Sequence, residues 1–394
     1  MTDVILVVNS GSTSLKFGAY KLDDSKTLPL LCRGSVDSMS TDPHFIAKTT
    51  DGKPIDAYEW GPDQPINHKT ALNYIISWLE KHEDNMQVKA AGHRVVLGGT
   101  RFNGPTIITS EIMDYLDDLK RMEPSHQEYN VLGAKALAED FPGLTQVAVF
   151  DSSFHRTMPE VAQIYALPKE ARDTGVCHWG YHGISYDYIH RQVPKYAPEA
   201  KRVIVGHLGG GASMCAILDG KSIETTMAFA GLTGLPMATR SGDVPADALF
   251  YLIRSGAYDV GSLEKMLYGE AGLLGLSGTS GDMRELQDSK KPDDQLAVDY
   301  FVYTLTKTVG SYTAVLGGLD TLVFTAGIGE NSAVVRAALC EKLDWLGVKI
   351  DSTANAANKI EISVPDSKVK VLVIPTNEEL MIAHHTFELT QAKA

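Results

Sequence analysis

The chain has 394 residues, 44% of them apolar and 22% charged, with a formal net charge of −13. That length exceeds one ordinary core and predicts two domains, while the negative balance argues against nucleic acid, whose phosphates attract basic faces. No apolar run approaches the roughly 20 residues of a membrane span, and the N-terminus enters a strand with no charged-then-apolar leader, so a cytoplasmic protein is expected.

In chain order, the apolar run Val4 to Val8 reads as a buried strand. It leads into the small-residue turn Asn9-Ser10-Gly11-Ser12-Thr13-Ser14 and then a second strand through Leu15, Lys16 and Phe17 to Tyr20. Helical periodicity follows at 70–82, and Arg94 stands in the strand-like Gly92-His93-Arg94-Val95-Val96. A helix is predicted over 127–140 and a strand over 147–150, ending at Asp151. The best domain boundary lies just beyond, giving one domain of 1–152 plus 381–394 and another of 153–380. The strand 203–206 then opens a second small-residue hairpin, His207-Leu208-Gly209-Gly210-Gly211-Ala212-Ser213, with its return strand Met214 to Leu218 turning at Asp219-Gly220. Arg240 lies in Thr239-Arg240-Ser241-Gly242-Asp243, and Arg284 closes Ser277-Gly278-Thr279-Ser280-Gly281-Asp282-Met283-Arg284. Apolar residues at Leu296, Tyr300, Phe301, Leu305, Val309 and Tyr312 predict a core helix over 295–316, ended by Gly317-Gly318. A strand at 321–325, the turn Thr325 to Asn331, a helix over 332–346, a strand at 370–374 and a terminal helix from Leu380 to Lys393 complete the chain. Strands alternating with helices indicate an α/β fold, and the four cysteines, far apart and without metal spacing, read as reduced thiols.

Turns of Gly and Ser let backbone N–H groups and hydroxyls approach an anion closely. One such turn is equally well a plain hairpin, but two in matching positions suggest a duplicated domain with phosphate held between the halves. The Ala326-Gly327-Ile328-Gly329-Glu330-Asn331 segment follows a strand and opens a helix, an arrangement that accepts nucleotide groups. It is neither the dinucleotide fingerprint nor the Gly-Lys-Ser/Thr phosphate loop. Arg94, Arg240 and Arg284 each lie among small residues, where a guanidinium fork fits carboxylate or phosphate oxygens; each is also readable as a structural ion pair. His126 and His182 are candidate donors to a developing charge, against the plainer reading of satisfied structural histidines. Asp151 and Glu378 stand at strand ends, where α/β proteins place catalytic and metal groups; a helix cap and a solvated charge are the plainer readings. Hard oxygen donors favour Mg²⁺ over zinc.

Taken together these motifs resemble the acetate kinase family. Asn9 to Phe17 is similar to its first signature, and His207 to Ser213, Thr239 to Asp243, Gly272-Leu273-Leu274-Gly275, Thr325 to Asn331 and Pro375 to Leu380 are similar to later ones, in order along nearly the whole chain. The resemblance implies a pair of duplicated actin-like (ribonuclease H-like) domains with mixed sheets and an interdomain cleft. It also implies a homodimer and reversible, Mg²⁺-dependent (or Mn²⁺-dependent) in-line transfer of the γ-phosphoryl group of ATP to a short carboxylate. By motif, Arg94 and Arg240 flank the transferred phosphoryl and the carboxylate, His182 donates to phosphoryl oxygens, and Asp151 lies beside the reacting groups. Asn9 and Glu378 match positions near the metal. Ser12, Ser14 and Lys16 and the hairpin His207-Leu208-Gly209-Gly210-Gly211 match phosphate-binding positions. Asp282, Met283, Arg284 and the 326–331 turn match the adenosine pocket. Val96, Ser125, His126, Tyr181 and Gly231 match the acid pocket.

The chain departs from the family's usual residues at Leu97 (usually His), Ser125 (Leu), Tyr181 (Phe), Gly210 (Asn) and Gly231 (Pro). These changes predict a more polar acid pocket, roomier at Gly231, so propionate, butyrate or a hydroxy acid stands beside acetate as acceptor. A pyrophosphate-using relative and a non-catalytic nucleotide-gated clamp are the other readings. The retained Arg284 and Gly-Ile-Gly-Glu-Asn turn speak against the former. The retained Asn9, Arg94, Asp151, His182, Arg240 and Glu378 speak against the latter.

Overall fold

The computed structural model describes residues 1–22, 27–61, 64–82, 85–123 and 126–391. Its contacts divide the chain into two compact units, Met1–Phe154 with Asn377–Ala394, and His155–Thr376. Among the described residues no helix is long and apolar enough to cross a membrane.

In the first unit, β1 (Thr2–Ser10) is the centre of the sheet. Its run Val4 to Val8 is buried throughout and shows no polar alternation, as expected of a strand covered on both faces. It pairs antiparallel with β2 (Leu15–Lys21), Ser10 opposite Leu15, so that residues 11–14 form the turn. Gly11 N donates to Ser14 O at 2.8 Å to close it. Beyond β2 lie β3 (Leu30–Asp37), β4 (His44–Lys48) and β5 (Pro54–Glu59). On the other side β6 (Met86–Val95) and β8 (Thr145–Phe150) run parallel to β1, with the short β7 (Thr106–Ile107) at the edge, giving the order β5-β4-β3-β2-β1-β6-β8-β7. Helix Gln127–Asp140 packs on β1 and β6. The terminal helix Glu378–Gln391 packs on β1, β6 and β8. It crosses β6 at Gly92, where a Cβ would collide with Thr386 Oγ1; only glycine allows that approach. The helix begins at Glu378, earlier than the predicted start at 380, so Glu378 belongs to its first turn.

The second unit repeats the plan. β9 (Arg202–Leu208) pairs antiparallel with β10 (Ala212–Leu218), which pairs antiparallel with β11 (Lys221–Thr225). β12 (Thr321–Thr325) runs parallel to β9, and β13 (Lys370–Val373) runs parallel to β12. The order β11-β10-β9-β12-β13 therefore matches β3-β2-β1-β6-β8 strand for strand, in sequence and in direction. Asp219 and Gly220 take φ of 47° and 80° between β10 and β11, the left-handed pair that a two-residue hairpin requires. The long helix Pro292–Leu316 starts three residues before its predicted position and ends on Gly317, φ 68°. The predicted helix over 332–346 is instead a helix Ala333–Lys342 followed by a 3₁₀ turn, Asp344–Leu346.

Candidate active site

In the first unit the parallel register brings β6 and β8 to the same end, and Arg94 and Asp151 meet there. Arg94 Nη2 lies 2.8 Å from Asp151 Oδ2, and its Nε donates to the same oxygen at 3.0 Å. Arg94 Nη1 stands 3.7 Å from Glu378 Oε2. Asp151 is 1% exposed, whereas the Arg94 and Glu378 side chains are 23% and 19% exposed, so the pair opens outward through the guanidinium. Burial pushes the Arg94 pKa down, but the charges of Asp151 and Glu378 outweigh it and hold the guanidinium above its usual value.

The strand ends are fixed by residues the sequence pattern did not single out. Asn130 accepts from Val96 N at 3.0 Å and donates to Ser10 O at 2.8 Å. Gln127 accepts from Leu97 N and donates to Leu97 O. Asn9, one residue before the end of β1, pairs with Lys16 on β2. Ser12 is exposed and Ser14 half-buried in the turn between the strands. His126 Nδ1 lies 3.1 Å from Oε1 of the buried Glu123, and its side chain is exposed. Val96 is buried, and Ser125 lies outside the described residues.

In the second unit the turn after β9 organises the site. Gly209 N donates to Gly211 O at 3.1 Å. A Cβ added to Gly211 would lie 3.4 Å from both Arg240 Nη2 and His182 Nε2, so these two side chains lean over the glycine. His182 holds a left-handed backbone, φ 59°, a conformation that persists only when its surroundings determine it. Its Nδ1 lies 2.8 Å from Ser213 Oγ, and its ring stacks on that of His207 with centroids 4.1 Å apart. His207 in turn lies 2.8 Å from Ser185 Oγ. Arg240 Nη1 donates to Gly231 O at 2.5 Å. Gly272, φ 61°, packs under this arginine, where a Cβ would meet Arg240 O at 2.6 Å.

Beside this turn is a cavity of about 720 Å³, lined by Gly209, Gly210, Ala238, Gly281, Asp282, Met283, Arg284, Gln287, Gly327, Ile328, Asn331 and Ser332. Added Cβ atoms at Gly210 and Gly327 would meet nothing within 4 Å, so the space over both backbones is open for a ligand. Asp282 caps the helix Met283–Asp288 and pairs with Arg284, Nη2 to Oδ2 at 2.5 Å.

A model of the acetokinase family matches residues 4–384. The chain is 44% identical over 395 residues to the acetate kinase of Rhodopseudomonas palustris (strain TIE-1), with 99% of each covered. The chain belongs to the acetokinase family. Its fold is that of the Porphyromonas gingivalis acetate kinase crystal structure, at TM-score 0.89 and 32% identity, covering 98% of this chain and 100% of that one. It is equally that of a propionate kinase from Francisella tularensis, at TM-score 0.90 and 34% identity over 98% and 99%.

Within this acetokinase fold the structure gathers Gly209, Gly210, Asp282, Met283, Arg284, Gly327, Ile328 and Asn331 around one cavity. Other predicted nucleotide contacts sit differently. Leu208 is fully buried. Segment 326–331 is a short helix, and Glu330 accepts from Ala326 N at 2.8 Å and Thr376 N at 3.1 Å, so its carboxylate shapes the turn. Gly329 O accepts from Arg336, a fully buried guanidinium, and Ala326 and Gly329 are buried with it. Ala238, Gln287 and Ser332 line the cavity without having been predicted. They carry no glycine or charge signal in sequence.

Proposed function

We propose that this acetokinase-family protein is an acetate kinase, moving the γ-phosphoryl group of ATP reversibly to acetate to give acetyl phosphate and ADP. The arrangement of Arg240 and His182 around Gly211, next to the glycine-lined cavity, carries the reading within unit two. The acceptor carboxylate is ionised near neutral pH, its pKa being roughly 4, and needs no strong general base. A carboxylate oxygen forms the new bond to the γ-phosphorus as the bond to the β,γ-bridging oxygen breaks and ADP leaves. The difficulty is bringing anions together and stabilising charge on the equatorial oxygens. Arg240 and His182 supply donors at that charge. Arg94 meets the acid's negative charge, and Asp151 orients Arg94.

Asn9 and Glu378 offer oxygen donors that suit Mg²⁺ or Mn²⁺, with Asp151 nearby through Arg94. When bound, the ion would neutralise phosphate oxygens of the nucleotide. Among the described residues no three His, Cys, Asp or Glu side chains gather to hold a metal, so Asn9 and Glu378 would hold it together with nucleotide phosphates and water. A cytoplasmic location accords with ATP as donor.

The similarity to a propionate kinase keeps a second acid in view. Trapping the product as hydroxamate, with ATP and either acetate, propionate, butyrate, glycolate or lactate, tests the reading. Acetate is expected to give the highest kcat/KM; no hydroxamate from any acid would defeat the acyl kinase reading. A cavity of about 720 Å³ leaves room for a nucleoside beside the phosphates, which supports ATP over pyrophosphate, and the same assay with pyrophosphate checks that.

The protein is further read as a homodimer. No residue of helix Ala246–Arg254 is buried, and its Phe250 and Tyr251 are 58% and 67% exposed. Val244, Val260 and Tyr303 are also exposed in this unit, and apolar faces of this kind mark protein–protein contacts. Light scattering is expected to give twice 42.8 kDa, falling to the single-chain mass in a Phe250→Glu/Tyr251→Glu variant. A wild-type protein of single-chain mass would remove the dimer.

A further inference from the structure

The segment carrying His182 is bound to the loop that anchors Arg240. Trp179 N and Gly180 N both donate to Ala228 O, at 3.1 and 3.2 Å. Tyr181 then adds a side-chain bond to the same loop: its hydroxyl donates to Phe229 O at 2.8 Å. Two residues further on, Gly231 O accepts from Arg240 Nη1. On the opposite flank the fully buried His155 places Nε2 2.9 Å from Tyr181 O. Its ring lies so close to Gly180 that a Cβ there would sit 2.5 Å from it. Burial pushes the His155 pKa down to about 3, so this support stays neutral. Tyr181 is therefore held from both sides, with His182 next to it in a left-handed conformation.

Gly231 has no side chain to restrict its backbone. The position of its carbonyl, and with it the Arg240 anchor, depends on what holds the neighbouring residues. Ala228 N donates to Thr233 Oγ1 at 3.1 Å across the loop, and Tyr181 fixes Phe229 between Ala228 and Gly231. A phenol has one O–H to donate, and here it is committed to a backbone carbonyl. A hydroxyl on the acid would gain no donated hydrogen bond from it and would meet only the acceptor lone pairs of the phenol oxygen.

Resting on the acetate kinase reading, we propose that the Tyr181 hydroxyl is a positioning group for the Arg240 anchor and not a reader of the acid. On this proposal the hydroxyl that led to the expectation of a more polar acid pocket is spent on the loop.

Tyr181→Phe removes this bond and keeps the aromatic ring. One neutral hydrogen bond is worth a factor of about five. The variant is expected to lose about fivefold in kcat with acetate and with glycolate alike, to keep KM for ATP within about twofold, and to exchange the bonded amide hydrogens of Trp179, Gly180 and Ala228 about fivefold faster. Selective loss of glycolate turnover with acetate unchanged would make Tyr181 a reader of the acid and overturn the proposal. Unchanged exchange at Trp179, Gly180 and Ala228 would overturn it at any activity. If the wild-type protein forms no hydroxamate, the acetate kinase reading fails, and the exchange measurement still decides the clamp.

Discussion

Arg240→Ala is expected to lower kcat for acetyl phosphate formation by on the order of 10³ or more, as removal of an arginine finger does in phosphoryl transfer. That factor corresponds to about 4 kcal/mol of transition-state stabilisation. The size follows from position. Arg240 Nη1 is tied to Gly231 O, and Nη2 is set beside Gly211 together with His182 Nε2. A guanidinium fixed in this way before substrate arrives loses little on meeting the charge that develops on the phosphoryl oxygens. Arg240→Lys is expected to recover only part of the rate, because an ammonium cannot bond the carbonyl and the phosphoryl with one planar fork. The segment is also held by backbone bonds that do not use the side chain, Met237 N to Arg240 O at 3.0 Å and Ser241 N to Leu267 O at 2.9 Å, so the fold is expected to survive the change. Steady-state kinetics with unchanged circular dichroism checks this. A kcat near the wild-type value would remove Arg240 from the reaction.

Arg94→Ala is expected to injure both stability and turnover. Asp151 is 1% exposed and takes two contacts from Arg94, at 2.8 and 3.0 Å. Deleting the guanidinium leaves a buried carboxylate without its cation, which costs about 3–5 kcal/mol in comparable pairs. Adding Asp151→Asn to Arg94→Ala removes the stranded charge and is expected to restore most of the stability while leaving the protein inactive. Urea unfolding separates the two effects from kinetics. If Arg94→Ala unfolds at the wild-type urea concentration, the pair does not stabilise the strand ends. If the stable double variant turns over acetate normally, Arg94 does not meet the acid.

Much of this architecture was legible because its signals are local. A buried strand, a Gly/Ser turn and a return strand occupy fewer than about 20 residues, and turn chemistry with apolar runs identifies them. Both β1–β2 and β9–β10 were found this way, and the match between the two sheets follows from them. The glycines and charges around the cavity were legible for the same reason. Supporting contacts were not. Asn130 on Ser10 O, Gln127 on Leu97, and Glu330 on Thr376 N join positions 30 to 120 residues apart, and polar residues in helical patterns give no hint of such partners. The direction of the Tyr181 hydroxyl was equally hidden, because composition reports that a donor exists and not where it is spent. Element boundaries moved by two or three residues where a cap or proline, as at Pro292, set the start of a helix.

The terminal helix has a consequence for how the protein is made. Ile382 and Thr386 lie against Gly92 of a strand near the middle of the first sheet. During synthesis that sheet must wait, one flank uncovered, while the ribosome translates the whole of His155–Thr376. The inserted unit is continuous in sequence and is able to close its own core first. Nascent chains released before the last helix emerges would expose β-strand surface and become substrates for chaperones.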